Sequence, residues 1–255
     1  MSLEVYLVRH GKTVFNTVGR LQGWSDSPLT PEGCGVAERL GRGLAERSIR
    51  FDAAFSSTAP RAAETARIIL QHSRHHELVL TQLPDLREYC FGGFEGEKTQ
   101  RLHEILSASL GLPDVDTWLH AYRHADHHLL AETVSALDEL ALAENEAQFV
   151  GRLQQGMAEV AALSQNAQAR RVLVVSHGMA ITALLKSIDF NIMDFRSLDN
   201  ASVSRLIYDN GGGGLRESVI PLCWRRNKAK IKCLSENEKC FQTGIFNKTT
   251  VCYAY

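Results

Sequence analysis

Histidine and arginine residues follow three separate apolar segments of the sequence, and their side chains suit the chemistry of phosphate. Arg9 and His10 follow the first segment, Arg61 the second and His177 the third. A guanidinium group offers forked donors to two phosphate oxygens and stays charged at any physiological pH. A neutral imidazole is a nucleophile that can form a covalent intermediate. Together these residue types favour a site for a phosphate dianion.

The elements that must position these residues alternate along the chain. Apolar segments at residues 3–8, 53–55, 78–80 and 172–175 predict buried strands, and residues 30–47, 62–70, 146–163 and 181–188 predict helices. Thr30 before Pro31 is a strong helix start, since a threonine oxygen can cap free amides. This alternation predicts an α/β fold, a three-layer α/β/α sandwich with a mostly parallel central sheet. Ligands bind such sheets at the carboxyl ends of the strands, and the helix after His177 offers free amides that favour an anion.

The rest of the chain predicts a cap, a late strand and a tail. Residues 111–145 lack a clear period and are rich in Pro, His, Asp and Glu, which predicts a small helical cap inserted at about residues 97–145. Residues 202–208 predict a strand, and Asn210 with four glycines predicts a turn into residues 215–220. The domain is therefore expected to span residues 1–220. Residues 221–255 lack periodicity, as expected of a flexible extension or of a frameshifted or read-through terminus.

Composition limits the classes of protein and partner. An apolar fraction of 44% and a charged fraction of 22% are typical of folded globular proteins and exclude disordered and fibrous classes. No apolar run approaches the ~18 residues of a membrane-spanning helix, and no signal peptide is evident, so a cytoplasmic location is expected. Residues 221–255 carry seven Lys/Arg and two Asp/Glu, which we interpret as a solvated segment, with no nucleic-acid or membrane partner. The cysteines match no zinc motif and are expected to be free thiols. A homodimer is compatible with the sequence.

Five motifs follow one another along the chain, at residues 8–16 (VRHGKTVFN), 21–30 (LQGWSDSPLT), 56–66 (SSTAPRAAETA), 86–96 (LREYCFGGFEG) and 176–178 (SHG). In this order they resemble the motifs of the histidine phosphatase superfamily, in the branch related to cofactor-dependent phosphoglycerate mutase. The resemblance covers roughly residues 4–208. An Arg-His-Gly triplet alone is weak, whereas five motifs in the same order are specific.

The resemblance implies a mechanism and a role for each site residue. His10 would attack phosphorus and become a phosphohistidine, which water then hydrolyses. Glu88 would protonate the leaving oxygen and later take a proton from water, so its pKa must be raised. Arg9, Arg61 and His177 would complete the catalytic set by stabilising the charge on the phosphoryl group. The residues implied to hold phosphate are Arg9, Asn16, Gln22, Gly23, Arg61 and His177.

Three functions remain open at this point. The favoured one is a phosphatase acting on a small phosphorylated metabolite, and the first alternative is a phosphoglycerate mutase. Residues 88–96 and the Leu-Gln-Gly-Trp loop look more like the phosphatase members, and no basic segment for retaining a bisphosphate is evident in residues 111–145. The second alternative is a non-catalytic phosphoester-binding module. The substrate is not predicted, since sugar phosphates, phosphoglycerates, nucleotides and a ribazole phosphate are all compatible.

Two groups of histidines lie outside the motifs. His120, His124 and His128 recur every four residues, so on one helix they would share a face that could bind a metal. No cysteine or carboxylate pattern completes such a site, and arginines and imidazoles supply the positive charge that phosphoryl transfer needs, so we expect neither metal nor cofactor. The histidines at positions 72, 75 and 76 predict an exposed helix end.

Overall fold

Four parallel strands and two further strands form one six-stranded sheet with the order β3-β2-β4-β1-β5-β6. The computed structural model describes residues 2–195, 198–209 and 220–222. The strands are β1 (Ser2–Arg9), β2 (Ala53–Ser57), β3 (Leu80–Leu83), β4 (Arg171–Ser176), β5 (Val203–Asp209) and β6 (Ile220–Leu222). Strands β1 to β4 are mutually parallel, whereas β5 is antiparallel to β1 and β6 is antiparallel to β5. The predicted α/β fold with a mostly parallel sheet is confirmed.

Helices connect the strands and cover both faces of the sheet. They are α1 (Val14–Val18), α2 (Pro31–Glu46), α3 (Pro60–His72), α4 (Thr99–Ser109), α5 (Val115–His124), α6 (Leu129–Leu137), α7 (Glu146–Asn166) and α8 (Gly178–Ile188). The Thr30 side chain accepts a hydrogen bond from the Gly33 amide at the start of α2, so Thr30 is the N-cap of this helix, as predicted. Helices α4 to α6 lie within residues 97–145, where the sequence predicts a small helical cap, and the assignment of this segment as an inserted cap stays a prediction. None of the helices in the described part of the chain is long and apolar enough to cross a membrane.

Alternating residues of β1 contribute to two hydrophobic cores. Tyr6 and Val8 pack with apolar residues of α2 and α3 on one face. Val5 and Leu7 pack on the other face with α7, α8 and the insertion helices. A central strand buried on both faces gains the apolar burial that stabilises a three-layer sandwich.

The register of the sheet brings the predicted site residues to one edge. Arg9 at the end of β1 lies opposite Ser176 at the end of β4, and Ser56 near the end of β2 lies opposite Val175. Because β1, β2 and β4 are parallel, their carboxyl ends meet at this edge. His10 and His177 follow directly beyond β1 and β4, and Arg61 lies in the first turn of α3, which begins shortly after β2.

Two local predictions are wrong. Strand β3 begins at Leu80 rather than at residue 78, and the neighbouring Val79 side chain is 84% exposed. His75 is buried rather than exposed, because its Nε2 accepts the Phe51 amide at 3.0 Å and its ring packs against Phe51. Its partner Phe51 is 24 positions away in sequence, so no local pattern indicates this contact.

Some predictions fall outside the described residues. The glycine-rich turn and most of the segment at residues 215–220 lie there, as does the tail from residue 223 onward. Pro221 and Leu222, which we assigned to the tail, belong to β6. Cys34 and Cys90 are free thiols as expected, and the other four cysteines are not among the described residues.

Candidate active site

The His10 side chain is buried at the end of β1 with one ring nitrogen fixed. Its Nδ1 lies 2.7 Å from the Gly11 carbonyl oxygen, which only accepts hydrogen bonds, so Nδ1 carries the proton. The lone pair is therefore on Nε2. Burial, with the charges of Arg61 and Arg9, lowers the pKa of His10 well below its usual value. A neutral imidazole with a free Nε2 lone pair is the form that attacks phosphorus.

His177 lies beside His10, with ring centroids 5.2 Å apart. Its Nε2 is 2.7 Å from the Ser57 hydroxyl, which also accepts the Ala59 amide at 3.3 Å. The hydroxyl proton is then available to Nε2, which favours a proton on Nδ1 of His177. That Nδ1 is buried and has no hydrogen-bond partner among the described residues. It is a donor that a phosphate oxygen would satisfy.

Two arginines, Arg61 buried and Arg9 partly buried, give the site its positive charge. The guanidinium of Arg9 donates to the Leu198 carbonyl and packs beside Gly178. Burial lowers the pKa of Arg9, and the charges of Glu88 and Asp199 partly oppose this effect. Arg61 is 1% exposed, and its charge lowers the pKa of both histidines.

Arg61 does more than the predicted phosphate contact. Its Nη1 donates to the Ser25 carbonyl at 2.9 Å and to Asp26 Oδ1 at 2.7 Å. Its Nη2 donates to the carbonyls of Gln22 and Gly23 at 3.0 and 2.8 Å. Only Nε lacks a partner in the part of the chain that the structure describes. The arginine therefore holds the loop after α1 and keeps a single N–H for a ligand.

Gln22 and Gly23 both have structural bonds at this loop. The Gln22 Oε1 accepts the Thr13 hydroxyl at 2.6 Å, and its Nε2 donates to the Ser27 hydroxyl at 3.1 Å. A Cβ on Gly23 would lie 2.0 Å from the Tyr89 carbonyl oxygen, so only glycine fits. The two residues shape the site: the Gln22 side chain is already bonded to Thr13 and Ser27, and Gly23 allows the close approach of Tyr89, so a direct role of either residue in phosphate binding stays a prediction.

Asn16 is held with its amide nitrogen available. Its Oδ1 accepts the Thr13 amide at 3.2 Å and the Asn200 Nδ2 at 3.3 Å. Asn200 also donates to the His10 carbonyl at 3.1 Å. Because Oδ1 accepts, Nδ2 of Asn16 remains a neutral donor, as the predicted role requires.

Glu88 is buried at the N-terminus of α8. Its Oε1 accepts the Ala180 amide at 2.8 Å and the Tyr89 amide at 3.1 Å, and its Oε2 accepts the Met179 amide at 3.0 Å. The free amides at this helix start, which we expected to favour an anion, are thus bonded to the carboxyl group of Glu88. These bonds lower the pKa of Glu88, but the larger effect of burial leaves it raised, as predicted.

Several supporting residues had no role assigned to them from the sequence. The Glu95 carboxylate accepts the amides of Gly23, Trp24, Ser25 and Phe91, and so anchors the loop that Arg61 also holds. Asn200 orients Asn16, and Ser57 orients His177. Their roles depend on contacts between distant segments, although Glu95 and Ser57 lie within quoted motifs.

The histidines of the insertion do not share one face. Helix α5 ends at His124, and His128 caps the separate helix α6 by accepting the Ala131 amide. The exposed rings of His120 and His124 have centroids 4.6 Å apart. Across the described residues, no group of three His, Cys, Asp or Glu side chains is arranged to hold a metal ion.

Known proteins resemble this chain over most of its length. A broad-specificity phosphatase, YOR283W of Saccharomyces cerevisiae, is 28% identical over 72% of this chain and 69% of that protein. A 2,3-bisphosphoglycerate-dependent phosphoglycerate mutase of Haemophilus influenzae is 29% identical over 76% of this chain and 89% of that protein. The crystal structure of phosphoglycerate mutase from Bacillus anthracis str. Sterne matches with a TM-score of 0.77 and 33% identity, over 85% of this chain and 92% of that one.

The family model of the histidine phosphatase superfamily, branch 1, matches residues 5–220. This match includes all five motifs and every strand end that contributes to the site. The chain therefore belongs to branch 1 of the histidine phosphatase superfamily.

Proposed function

We propose that the protein is a metal-independent phosphatase that hydrolyses a small phosphomonoester through a phosphohistidine on His10. The observation that carries this proposal is the state of His10. Its pKa is lowered so that the neutral form is favoured, its Nδ1–H is bonded to the Gly11 carbonyl, and its Nε2 lone pair lies in a site that contains the buried Arg61 and the partly buried Arg9.

In the first step, Nε2 of His10 forms a bond to phosphorus while the bond from phosphorus to the ester oxygen breaks. Protonated Glu88 donates its proton to the departing oxygen, so an alcohol leaves and Glu88 becomes a carboxylate. Oε2 of Glu88 suits this transfer, since it accepts one backbone amide whereas Oε1 accepts two.

In the second step, water attacks the phosphohistidine and the bond from phosphorus to Nε2 breaks. The Glu88 carboxylate takes a proton from the water, which returns both residues to their starting forms. Arg61 Nε, His177 Nδ1 and Asn16 Nδ2 are donors for the phosphoryl oxygens in both steps. The positive charge of Arg9 and Arg61 serves the purpose that a magnesium ion serves in many other phosphoryl transferases.

Release of inorganic phosphate tests this proposal. Wild type and His10→Ala are compared on a panel of phosphomonoesters, with p-nitrophenyl phosphate included and EDTA present throughout. We expect turnover by wild type, unaffected by EDTA, and a loss of at least about 10³-fold in His10→Ala. Full activity of His10→Ala would overturn the role of His10, and activity lost in EDTA and restored by a metal would overturn metal independence.

A phosphoglycerate mutase is the second candidate, since two of the relatives above carry that name. The charge of the insertion favours hydrolysis instead. Residues 111–145 contain one Lys/Arg and seven Asp/Glu, so this segment would repel a bisphosphate. Incubation with 3-phosphoglycerate and 2,3-bisphosphoglycerate separates the candidates, because a mutase produces 2-phosphoglycerate whereas the proposed phosphatase releases phosphate without isomerisation. The same assays with His10→Ala also separate an enzyme from a non-catalytic binding module.

A further inference from the structure

Arg152 on α7 reaches across to the segment that carries Glu88. Its Nη1 donates to the carbonyls of Asp85 and Arg87, each at 3.0 Å, and its Nη2 donates to the carbonyl of Glu88 at 3.1 Å. Residues 87–91 belong to no helix or strand, so no regular ladder of hydrogen bonds satisfies their carbonyls. The conformation of this segment therefore depends on the arginine.

Glu144 holds Arg152 in a bidentate ion pair. The distances are 2.6 Å from Nε to Oε1 and 2.7 Å from Nη2 to Oε2, and the two side chains are 15% and 13% exposed. Glu144 Oε2 also accepts the Cys90 amide at 3.0 Å. All five N–H groups of the guanidinium thus have an acceptor, which fixes its position and orientation.

We infer that Arg152, held by Glu144, is the positioning residue for the general acid Glu88, and this inference rests on the function proposed above. The carboxylate of Glu88 is bonded to the start of α8, and its main chain is bonded to Arg152 and to the indole nitrogen of Trp24 at 3.1 Å. Glu88 is therefore held at both its side chain and its main chain.

This role has a kinetic signature that a loss of stability alone would not produce. Proton donation by Glu88 assists an alkyl phosphate, whose alkoxide is a poor leaving group, far more than p-nitrophenyl phosphate, whose phenolate is a good one. Displacement of Glu88 by even a fraction of an ångström weakens proton transfer. The value of kcat/KM reports the steps up to release of the alcohol or phenol and excludes the later hydrolysis. A positioning defect should therefore make kcat/KM depend more steeply on the leaving group.

The test compares kcat/KM for glycerol phosphate and p-nitrophenyl phosphate in wild type, Arg152→Met, Arg152→Lys and Glu88→Gln. We expect Arg152→Met to lower the glycerol phosphate value by at least about tenfold more than the p-nitrophenyl phosphate value. Arg152→Lys should show a smaller change in the same direction, because the lysine ammonium keeps the positive charge but lacks the planar set of donors that a guanidinium has. Arg171→Met is the matched control, since it removes an arginine paired with Glu4 at the opposite edge of the sheet. Its leaving-group dependence should equal that of wild type.

An equal decrease of kcat/KM for both substrates, in either Arg152 variant, would overturn the inference. If Arg152→Met does not fold, as judged by circular dichroism, Arg152→Lys decides the matter. Glu88→Gln separates this failure from failure of the proposed function. If kcat/KM depends steeply on the leaving group in Glu88→Gln but not in the Arg152 variants, the positioning role alone is overturned. If this dependence is unchanged in Glu88→Gln, Glu88 is not the acid and the inference fails with it.

Discussion

Two opposing effects act on the carboxyl group of Glu88. Burial destabilises its charged form and raises the pKa above the usual value, although three backbone amides stabilise that form. His10 shows the opposite shift, because burial and two nearby arginines lower its pKa well below the usual value. These shifts favour a neutral nucleophile and a protonated acid at the same pH, which is the pairing that the first chemical step requires.

The pH dependence of kcat/KM should reveal these two groups. Activity rises with pH as His10 loses its proton, at a pH well below 6.5, and falls as Glu88 loses its proton, at a pH above 4.5. Glu88→Gln should lower kcat/KM for an alkyl phosphate by about 10²–10⁴-fold and lose the alkaline limb. Ionisation of the substrate affects wild type and variant equally, so the comparison isolates the enzyme group.

Glu104→Gln is the control for this profile, because Glu104 is an exposed residue of α4 whose carboxylate is bonded, among the described residues, to Gln100 and Arg101 of the same helix. It should keep both limbs. An unchanged alkaline limb in Glu88→Gln would show that another group donates the proton.

At the scale of elements, the loop at residues 22–25 is packed tightly against the segment that carries Glu88. Arg61 and Glu95 hold it from two sides, and Gly23 allows the close approach to Tyr89. The loop therefore connects Arg61, a proposed phosphate-binding residue, with the segment of Glu88, the proposed acid. A change in its packing should therefore affect stability and ligand affinity together.

Gly23→Ala tests this packing. The added Cβ would lie 2.0 Å from the Tyr89 carbonyl, so the loop must shift, and we expect a loss of about 1–3 kcal/mol in the free energy of unfolding with an increase in KM. Gly151→Ala is the matched control, since its Cβ would meet nothing within 4 Å in the middle of α7. That variant should gain about 0.5–1 kcal/mol. Urea denaturation measures both, and a Gly23→Ala variant as stable as wild type would refute the packing argument.

Local patterns predicted the elements of this fold better than the contacts between them. Buried strands are continuous apolar runs, so the ends of β1, β2 and β4, and with them His10, Arg61 and His177, follow from the sequence. The burial of His75 and the four loop contacts of Arg61 join segments 24 or more positions apart. Such contacts depend on tertiary packing, which no local period encodes.

At the scale of the whole molecule, one sheet edge collects groups from distant parts of the chain. Parallel strands deliver His10, the proposed nucleophile, and its neighbour His177, while α3 supplies Arg61 and the start of α8 binds the carboxyl group of Glu88. Helix α7 and the segment between α6 and α7 hold the proposed acid from outside through Arg152 and Glu144. The central claim is that this assembly transfers a phosphoryl group to His10.

Trapping the covalent intermediate tests that claim most directly. In Glu88→Gln, p-nitrophenyl phosphate should still phosphorylate the enzyme, because its leaving group needs little acid, while hydrolysis slows for want of a base. We predict that an alkaline quench and peptide mass spectrometry will find one acid-labile phosphoryl group on His10, and none in the His10→Ala, Glu88→Gln double variant. A phosphoryl group on another residue, or release of phosphate by the double variant at the rate of Glu88→Gln, would contradict the account.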